Sequence, residues 1–196
     1  FFKARNFQYD QIQKEFNIQA KNNANSIQNS IDEKIRVLRS IGFFFEASVS
    51  VEREEFSEFV NHFIKYPSVK IYGWVPRVEN QNRAQFQMEA RANGLDNFEI
   101  FQEDESGNWV SVAKKNVYYS LYYVVPQEAS QFIGLDLLSI PEWEDAVKLG
   151  EKRNQIASTG RLEIEQMGKD YFFGLLLPVH LKKLPDNEEH SKDNIQ

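Results

Sequence analysis

The first forty residues place apolar side chains at every third or fourth position and contain neither glycine nor proline. This spacing is typical of one face of an α-helix. It predicts a single amphipathic helix of roughly 35 residues, ~50 Å long, which ends at Gly42. One small domain cannot cover a helix of that length. The apolar positions are Tyr9, Ile12, Phe16, Ala20, Ala24, Ile27, Ile31, Ile35, Leu38 and Ile41.

The early half of this helix is rich in Asn and Gln, as in "NNANSIQNS" (22–30), and its apolar stripe is narrow. A narrow stripe of small and medium side chains is typical of a helix that packs along a twin copy of itself. We therefore expect a homodimer formed through residues 7–42. A helix that lies across its own domain fits the same pattern, and this alternative stays open.

Beyond Gly42 the sequence alternates between helix and strand patterns. Ser50 is expected to cap a second helix that ends at Tyr66-Pro67 and has Phe56 and Val60 on its apolar face. Further helices are predicted over 80–93, with Gly94 just past its end, and from the capping box Ser139-Ile140-Pro141-Glu142 to Arg153. Strands are predicted over 69–78, 98–104, 109–114, 117–126, 160–166 and 171–181.

The predicted fold class is α+β: a long N-terminal stalk helix followed by an antiparallel sheet with helices on one face. The stalk and dimerisation helix covers residues 1–44, and the sheet lobe covers 45–182. Residues 183–196 are polar and are expected to form a tail.

Composition removes several classes of function. The chain has 196 residues, of which 41% are hydrophobic, so it can bury one domain core. Its net charge of −6, without a basic patch, argues against a nucleic-acid partner. It contains no cysteine, which excludes disulfides, thiolate metal sites and thiol nucleophiles.

Motifs for catalysis are missing from the sequence. His62, His180 and His190 lie far apart and lack the spacing of metal ligands, so no metal or cofactor is expected. There is no G-x-S-x-G, Walker loop or G-x-G-x-x-G. Glu103, Asp104 and Glu105 could share acid and base roles, although three acids before Ser-Gly are typical of a solvated hairpin end. An enzyme that used this acidic cluster would also need a positioned nucleophile, and the sequence motifs do not indicate one.

Four motifs carry a resemblance to a known family: "GWVPRVENQNRAQF", "YYSLYYVVPQEASQFIGLDLLS", "STGRLEIEQ" and "FFGLLLPVH". Their order and spacing resemble those of CHASE domains, over about Ile41 to Leu181. CHASE domains are the extracytoplasmic sensors of histidine kinases, nucleotide cyclases and cyclic-di-GMP enzymes. The resemblance implies a PAS-like sheet that binds a small ligand, as in the cytokinin receptors, at the end of a stalk helix.

Pro76, Arg77 and Arg83 match the "PRV…ER" signature of that family, except that Asn82 stands where an acidic residue is usual. We expect both arginines to have a structural role and to hold backbone carbonyls or carboxylates where a strand leads into a helix. A clamp for an anionic ligand is the alternative, because the guanidinium fork suits carboxylate and phosphate.

The resemblance also implies ligand contacts on the sheet. The acidic residue that binds the adenine ring in cytokinin receptors is best matched by Asp104, with Glu103 as its neighbour. Asp136 matches a family position, with hydrogen bonding to a ligand or to a strand end as its two possible roles. Thr159 or Ser158 matches a strand that enters the pocket. The complete set of candidate ligand contacts is Asp104, Glu103, Trp74, Phe101, Tyr119, Leu121, Tyr123, Asp136 and Thr159.

The aromatic strand has two faces, and sequence does not decide which of them lines a pocket or packs in the core. Alternation predicts Tyr119, Leu121, Tyr123 and Val125 on one face and Tyr118, Ser120, Tyr122 and Val124 on the other.

These observations predict a sensory module rather than an enzyme. The resemblance implies a periplasmic or extracellular domain of a membrane protein, tethered by flanking spans outside this chain and followed by a membrane-proximal lobe. It also implies an output domain of the histidine kinase, cyclase or cyclic-di-GMP type. The competing hypothesis is a structural dimerisation module without a small-molecule ligand, whose aromatic strand fills the core.

Overall fold

The computed structural model describes residues 2–64, 68–104, 106–163 and 170–181, and it describes residues 2–7 by their backbone alone. A long N-terminal helix is followed by small antiparallel sheets and shorter helices, which confirms the predicted α+β class. The chain divides into two compact units, Phe1–Ser40 and Ile41–Gln196.

The first helix, α1, runs without interruption from Phe2 to Ala47. The predicted end at Gly42 is therefore wrong. Gly42 is buried, and a Cβ atom at this position would come within 2.6 Å of the Leu177 side chain. The glycine thus permits close packing of Leu177 against the helix, and its cost in helix propensity of about 1 kcal/mol does not end a helix of this length.

Helix α2 (Arg53–Asn61) packs against the end of α1 through aromatic rings. Phe44 stacks on Phe59 with ring centroids 4.4 Å apart. The predicted apolar face is confirmed, since Phe56 and Val60 are fully buried. The N-cap of α2 is Glu52 rather than the predicted Ser50. The backbone N–H of Glu52 donates to the Glu55 side chain at 3.0 Å. The predicted stop at Tyr66-Pro67 lies outside the described residues.

In the described ranges, short strands form antiparallel pairs, which are β1 with β6, β2 with β5, β3 with β4, and β7 with β8. Each strand has only two or three residues, so isolated bridges supply part of the ladder. The strands are β1 (Tyr72–Trp74), β2 (Arg77–Glu79), β3 (Phe101–Glu103), β4 (Trp109–Ser111), β5 (Val117–Tyr119), β6 (Tyr123–Val125), β7 (Ala157–Ser158) and β8 (Leu175–Leu176).

Two predicted strands are each broken in the middle, and the breaks lie opposite each other. The stretch 69–78 gives β1 and β2 on either side of Val75-Pro76, and 117–126 gives β5 and β6 on either side of 120–122. Pro76 has no N–H to donate to a ladder. Across the break, Leu121 instead donates its N–H to the Leu135 carbonyl at 2.9 Å.

The break also changes which side chains share a face. Tyr118 and Tyr122 belong to one core cluster, and Tyr119 and Leu121 belong to another, as alternation predicts. Val124 was predicted on the face opposite Leu121, yet both pack in the same cluster. Period-two alternation fails here because it requires continuous extended backbone.

The remaining helices are close to prediction. Helix α3 (Arg83–Ala92) follows a 3₁₀ turn at Asn80–Asn82, and Gly94 has a φ of +84° just past its end. Helix α4 (Pro141–Arg153) begins with the predicted proline. Its N-cap is Ile140 and not the predicted Ser139, whose hydroxyl donates instead to the Asp136 carbonyl at 2.6 Å.

Two clusters of buried side chains lie among the described residues of the second unit. The segment that starts at Gly134 and includes a short 3₁₀ turn, Leu137–Ser139, contributes Leu135 and Leu137 to the second of these clusters. The first cluster contains Val78, Ala90, Phe98, Ile100, Val112 and Tyr118, and the second contains Leu121, Val124, Ala129, Phe132, Leu135 and Leu137.

Candidate ligand-binding site

The structure brings four of the predicted site residues to one junction between strands. Asp136 donates its backbone N–H to the Phe101 carbonyl at 2.9 Å, and its carboxylate accepts the N–H of Tyr119 at 2.9 Å. Leu121 exchanges backbone hydrogen bonds with the same segment, to Gly134 and Leu135. The junction therefore holds Phe101, Tyr119 and Leu121 around the Asp136 carboxylate.

The geometry of the junction depends on Gly134. Its φ of +102° lies in the region that favours glycine, and a Cβ atom would come within 2.2 Å of the Glu99 carbonyl oxygen. After this turn the chain forms two isolated β-bridges. Leu135 forms a parallel bridge with Phe101, and Asp136 forms an antiparallel bridge with Ser120.

Asp136 is completely buried and has ionic and hydrogen-bonding partners. Its Oδ2 atom lies 2.8 Å from the ammonium of Lys115, and its Oδ1 atom accepts from the N–H groups of Tyr119 and Leu138. Burial raises the pKa of the carboxyl, and the ammonium of Lys115 opposes that shift only in part. An ionised carboxylate has about four acceptor positions, so three bonds leave room for another donor.

Ser120 adds a hydroxyl to this junction. The residue is completely buried, and within the described part of the chain its Oγ atom has no hydrogen-bond partner. Bridge partners in an antiparallel ladder project their side chains on the same face, so Ser120 and Asp136 face the same side of the sheet. A buried hydroxyl without a partner costs about 1–3 kcal/mol, and such a group calls for an explanation.

The predicted acidic pair lies at the end of the β3–β4 hairpin. The Oδ1 atom of Asp104 accepts from the backbone N–H groups of Ser106 and Asn108 at 2.8 and 2.9 Å. The N–H of Asn108 is the main reason that the pKa of Asp104 is lowered. Glu103 is in register with Trp109 across the same hairpin. Asp104 thus organises a turn, and its contact with a ligand stays a prediction.

Trp74 and Tyr123 form a second aromatic group at the β1–β6 pair, where they are register partners. The Trp74 ring stacks on Phe45 of α1 with centroids 4.0 Å apart. The Tyr123 hydroxyl donates to the Val51 carbonyl at 3.3 Å, and desolvation raises the pKa of Tyr123 to about 12. Trp74 therefore connects the sheet to α1, and Tyr123 connects it to the segment between α1 and α2.

Thr159 lies apart from the junction, beside the β7–β8 pair. It is buried, and its hydroxyl accepts the N–H of Gly174 at 2.7 Å and donates to the Gly160 carbonyl at 2.8 Å. Its backbone also donates to the Gly174 carbonyl at 3.0 Å. These bonds hold two strands together.

The two signature arginines have different surroundings. Arg83 donates to the carbonyls of Ile100 and Val112 at 3.3 and 3.4 Å, which are the contacts that a structural role requires. Arg77, just after Pro76, is half exposed and forms a 3.0 Å ion pair with Glu79 on the surface. Ion pairs of this kind contribute about 0–1 kcal/mol.

Two members of the junction were not among the predicted site residues. Ser120 is the one small polar residue inside "YYSLYY", which is a weak signal in the sequence. The sequence around Lys115 does not indicate a site, because only the tertiary fold brings Lys115 close to Asp136. Together they give the junction an ammonium, a carboxylate and a hydroxyl. An ammonium, a carboxylate and a hydroxyl can each hydrogen-bond a polar group of a ligand.

Two further properties concern the described residues as a whole. In those ranges no helix is both long and apolar enough to span a bilayer. Nor does the same part of the chain contain a cluster of three or more side chains suited to hold a metal ion.

A long helix, small antiparallel sheets and shorter helices define an α+β domain. Comparison with known proteins makes this specific, since the CHASE domain family model matches residues 49–196. The chain belongs to the CHASE domain family. It is also similar to a germination-specific adenylate cyclase of Dictyostelium discoideum, with 23% identity over 138 residues, which cover 70% of this chain and 16% of that protein. CHASE domains are extracytoplasmic sensor domains of membrane signalling proteins.

Proposed function

We propose that this CHASE domain is the ligand-binding sensor of a transmembrane signalling protein and that it binds a small polar molecule beside Ser120 and Asp136. The observation that carries the proposal is the buried hydroxyl of Ser120, which has no partner among the described residues and lies next to a buried carboxylate. A ligand that donates to Asp136 and bonds Ser120 would satisfy both groups.

Lys115 supports this location. Its side chain is 28% exposed while Asp136 is completely buried, so the ion pair leads from solvent to the junction. Because Ser120 is completely buried, a ligand has to displace packing around the strand break. Binding then rearranges the sheet, so the domain has a ligand-free and a ligand-bound conformation. The ligand shifts the equilibrium between these conformations by the difference in its affinity for them.

The proposed route of the signal runs to α1. Gly73 in β1 packs on Leu121, since a Cβ atom there would lie 2.6 Å from the Leu121 side chain. The next residue, Trp74, stacks on Phe45 near the end of α1. We propose that α1 forms a homodimer through residues 7–42 and that rearranged helices pass the signal to the membrane.

The output domain of the whole protein is proposed to be a histidine kinase, a nucleotide cyclase or a cyclic-di-GMP enzyme. The similarity to an adenylate cyclase supports a cyclase among these classes. The domain itself is proposed to lie on the periplasmic or extracellular face of the membrane and to be held there by spans outside this chain.

A ligand-free dimerisation module is the second candidate. The observation in its favour is that the other polar candidates already have internal partners: Asp104 forms a turn and Thr159 joins two strands. In this alternative the Ser120 hydroxyl is a tolerated defect of the core.

A thermal-shift screen with amino acids, organic acids, purines and adenine derivatives distinguishes the two candidates. A ligand at a hundred times its Kd stabilises the folded state by about 2.7 kcal/mol, which is several degrees in Tm for this size. Asp104→Ala is the matched control, since it removes a carboxylate outside the junction. A shift that Asp104→Ala abolishes, while Ser120→Ala leaves it unchanged, would move the site to the hairpin.

A further inference from the structure

The Asp136 carboxylate has one acceptor position left, and this position lies beside a cation. Its Oδ1 atom accepts the N–H groups of Tyr119 and Leu138, whereas its Oδ2 atom is bonded, among the described residues, to Lys115 alone. A carboxylate oxygen has about two acceptor positions, so the remaining one is on Oδ2. The Lys115 ammonium, 2.8 Å away, has three donors and gives one of them to Asp136. A ligand therefore meets an acceptor and donors next to each other.

The cations that act on this carboxylate outnumber it. Arg83 is part-buried on α3, and within the described ranges its guanidinium donates only to neutral acceptors, which are backbone carbonyls and an amide side chain. Burial raises the pKa of Asp136, and the charges of Lys115 and, more weakly, Arg83 lower it, so both cations act on the same group. Two positive charges thus face one negative charge. A ligand with one negative charge would complement them.

Glu144, in the first turn of α4, does not remove this surplus of positive charge. The hydrogen bond from Lys148 is the main reason that the pKa of Glu144 is lowered, and the charge of Lys115 contributes least. The Lys148 ammonium lies 2.7 Å from the Glu144 carboxylate, so the charges of this pair compensate each other. The Glu144 side chain is also 42% exposed, and its charge is therefore screened.

The two ends of the junction differ in their contact with solvent. The Ser120 hydroxyl is completely buried, faces the same side of the sheet as Asp136 and has no partner in the described part of the chain. The Lys115 side chain, by contrast, is 28% exposed. Because burying an ion costs more than burying a hydroxyl, the charged end of a ligand belongs at Lys115. An uncharged polar group fits the buried end, at Ser120 and Oδ2 of Asp136.

We propose that the ligand is a 2-hydroxy acid, a small carboxylate with a hydroxyl group on the neighbouring carbon. Its carboxylate accepts from Lys115, and its hydroxyl donates to Oδ2 of Asp136 and accepts from Ser120. The two groups are neighbours in the ligand because the ammonium and Oδ2 are 2.8 Å apart. An α-amino acid fits less well, since its ammonium would restore the surplus of positive charge. This inference rests on the proposed function and uses the same site.

Small probes that differ in one group test the inference without altering the protein. Lactate has both groups, propanoate lacks the hydroxyl, lactamide lacks the charge, and alanine carries an ammonium in place of the hydroxyl. We expect lactate to give a chosen rise in Tm at a roughly tenfold lower concentration than the other probes, the effect of one hydrogen bond to a charged group. All titrations are run at equal ionic strength, so that screening by salt is the same.

Variants of the full chain locate the bound probe. Ser120→Ala should remove most of the preference for lactate, while Ser111→Ala, which removes an exposed hydroxyl bonded to Glu99, should retain it. A preference for lactamide or alanine that depends on Ser120 would overturn the 2-hydroxy acid and leave the site standing. A Ser120-dependent shift with another compound class, and none with lactate, would do the same.

Two further outcomes concern the site itself. A lactate shift that Ser120→Ala leaves unchanged would overturn this inference, because the probe would then bind elsewhere. The absence of any Ser120-dependent shift, across these probes and the wider screen, would overturn the proposed function as well.

Discussion

The buried Asp136 carboxylate lies 2.8 Å from the Lys115 ammonium, across 21 residues of sequence. The same carboxylate holds the N–H of Tyr119, so one ion pair fixes the turn after Gly134 against β5. The Asp136 carboxylate is therefore part of the candidate site and also stabilises the fold.

Removing the ammonium should destabilise the fold strongly. We expect Lys115→Met to lower the free energy of unfolding at neutral pH by about 3 kcal/mol, the low end for breaking a buried pair. The low end applies because the Lys115 side chain is 28% exposed. Denaturant unfolding measures the change. Combining Lys115→Met with Asp136→Asn should restore part of the loss, and a strictly additive double variant would contradict the pairing.

The pH dependence of Asp136 has a definite sign. Burial raises its folded-state pKa above the ordinary value of 3.8. A raised pKa means that the stabilising contribution is complete below the unfolded-state pKa and is lost as the pH rises through the folded-state pKa. The free energy of unfolding of the wild type, minus that of Asp136→Asn, should therefore fall as the pH rises above about 4. A difference that rises with pH would mean that Lys115 outweighs burial.

Two serines near Asp136 should respond in opposite directions. Ser120→Ala removes a buried hydroxyl without a partner among the described residues and should raise the stability of the ligand-free domain by about 1 kcal/mol. Ser139→Ala removes the donor of a 2.6 Å bond to the Asp136 carbonyl and should lower it by a similar amount. Thermal unfolding of both variants tests this, and equal losses in both would show that the Ser120 hydroxyl is satisfied.

Gly134 should not tolerate a side chain. We expect Gly134→Ala to cost about 3 kcal/mol or more, since the positive φ alone costs about 1–3 kcal/mol and the Cβ atom would lie 2.2 Å from the Glu99 carbonyl. Gly160→Ala is the control, because a Cβ atom there meets nothing within 4 Å. Its stability should change by less than about 1 kcal/mol. Similar losses in both variants would contradict the packing around Gly134.

The sequence predicted the long helix, the α+β class and the family motifs because these depend on local periodicity and on ordered short motifs. It placed the helix end at Gly42 wrongly, since a contact with Leu177 is invisible in local sequence. The alternation over 117–126 predicted one continuous strand. In the structure this strand is broken, and the Leu121 N–H donates to the Leu135 carbonyl.

The candidate site was predictable only in part. Asp136, Phe101, Tyr119 and Leu121 are all candidates from the sequence, and the family motif supports Asp136, but alternation does not decide which face of the aromatic strand lines a pocket. Lys115 was not a candidate, since an ion pair between distant residues needs the tertiary fold. Asp104 looked like a ligand contact because its role in the turn depends on where the chain reverses, at Asn108.

The most direct test of the sensor account is calorimetric titration of the wild type and Ser120→Ala with any compound that raises Tm in the screen. We expect the wild type to bind and Ser120→Ala to lose affinity by roughly tenfold or more, the equivalent of one hydrogen bond of about 1.4 kcal/mol. The variant should remain folded and at least as stable as the wild type without ligand. Equal affinity in the two proteins would contradict a binding site at Ser120 and Asp136.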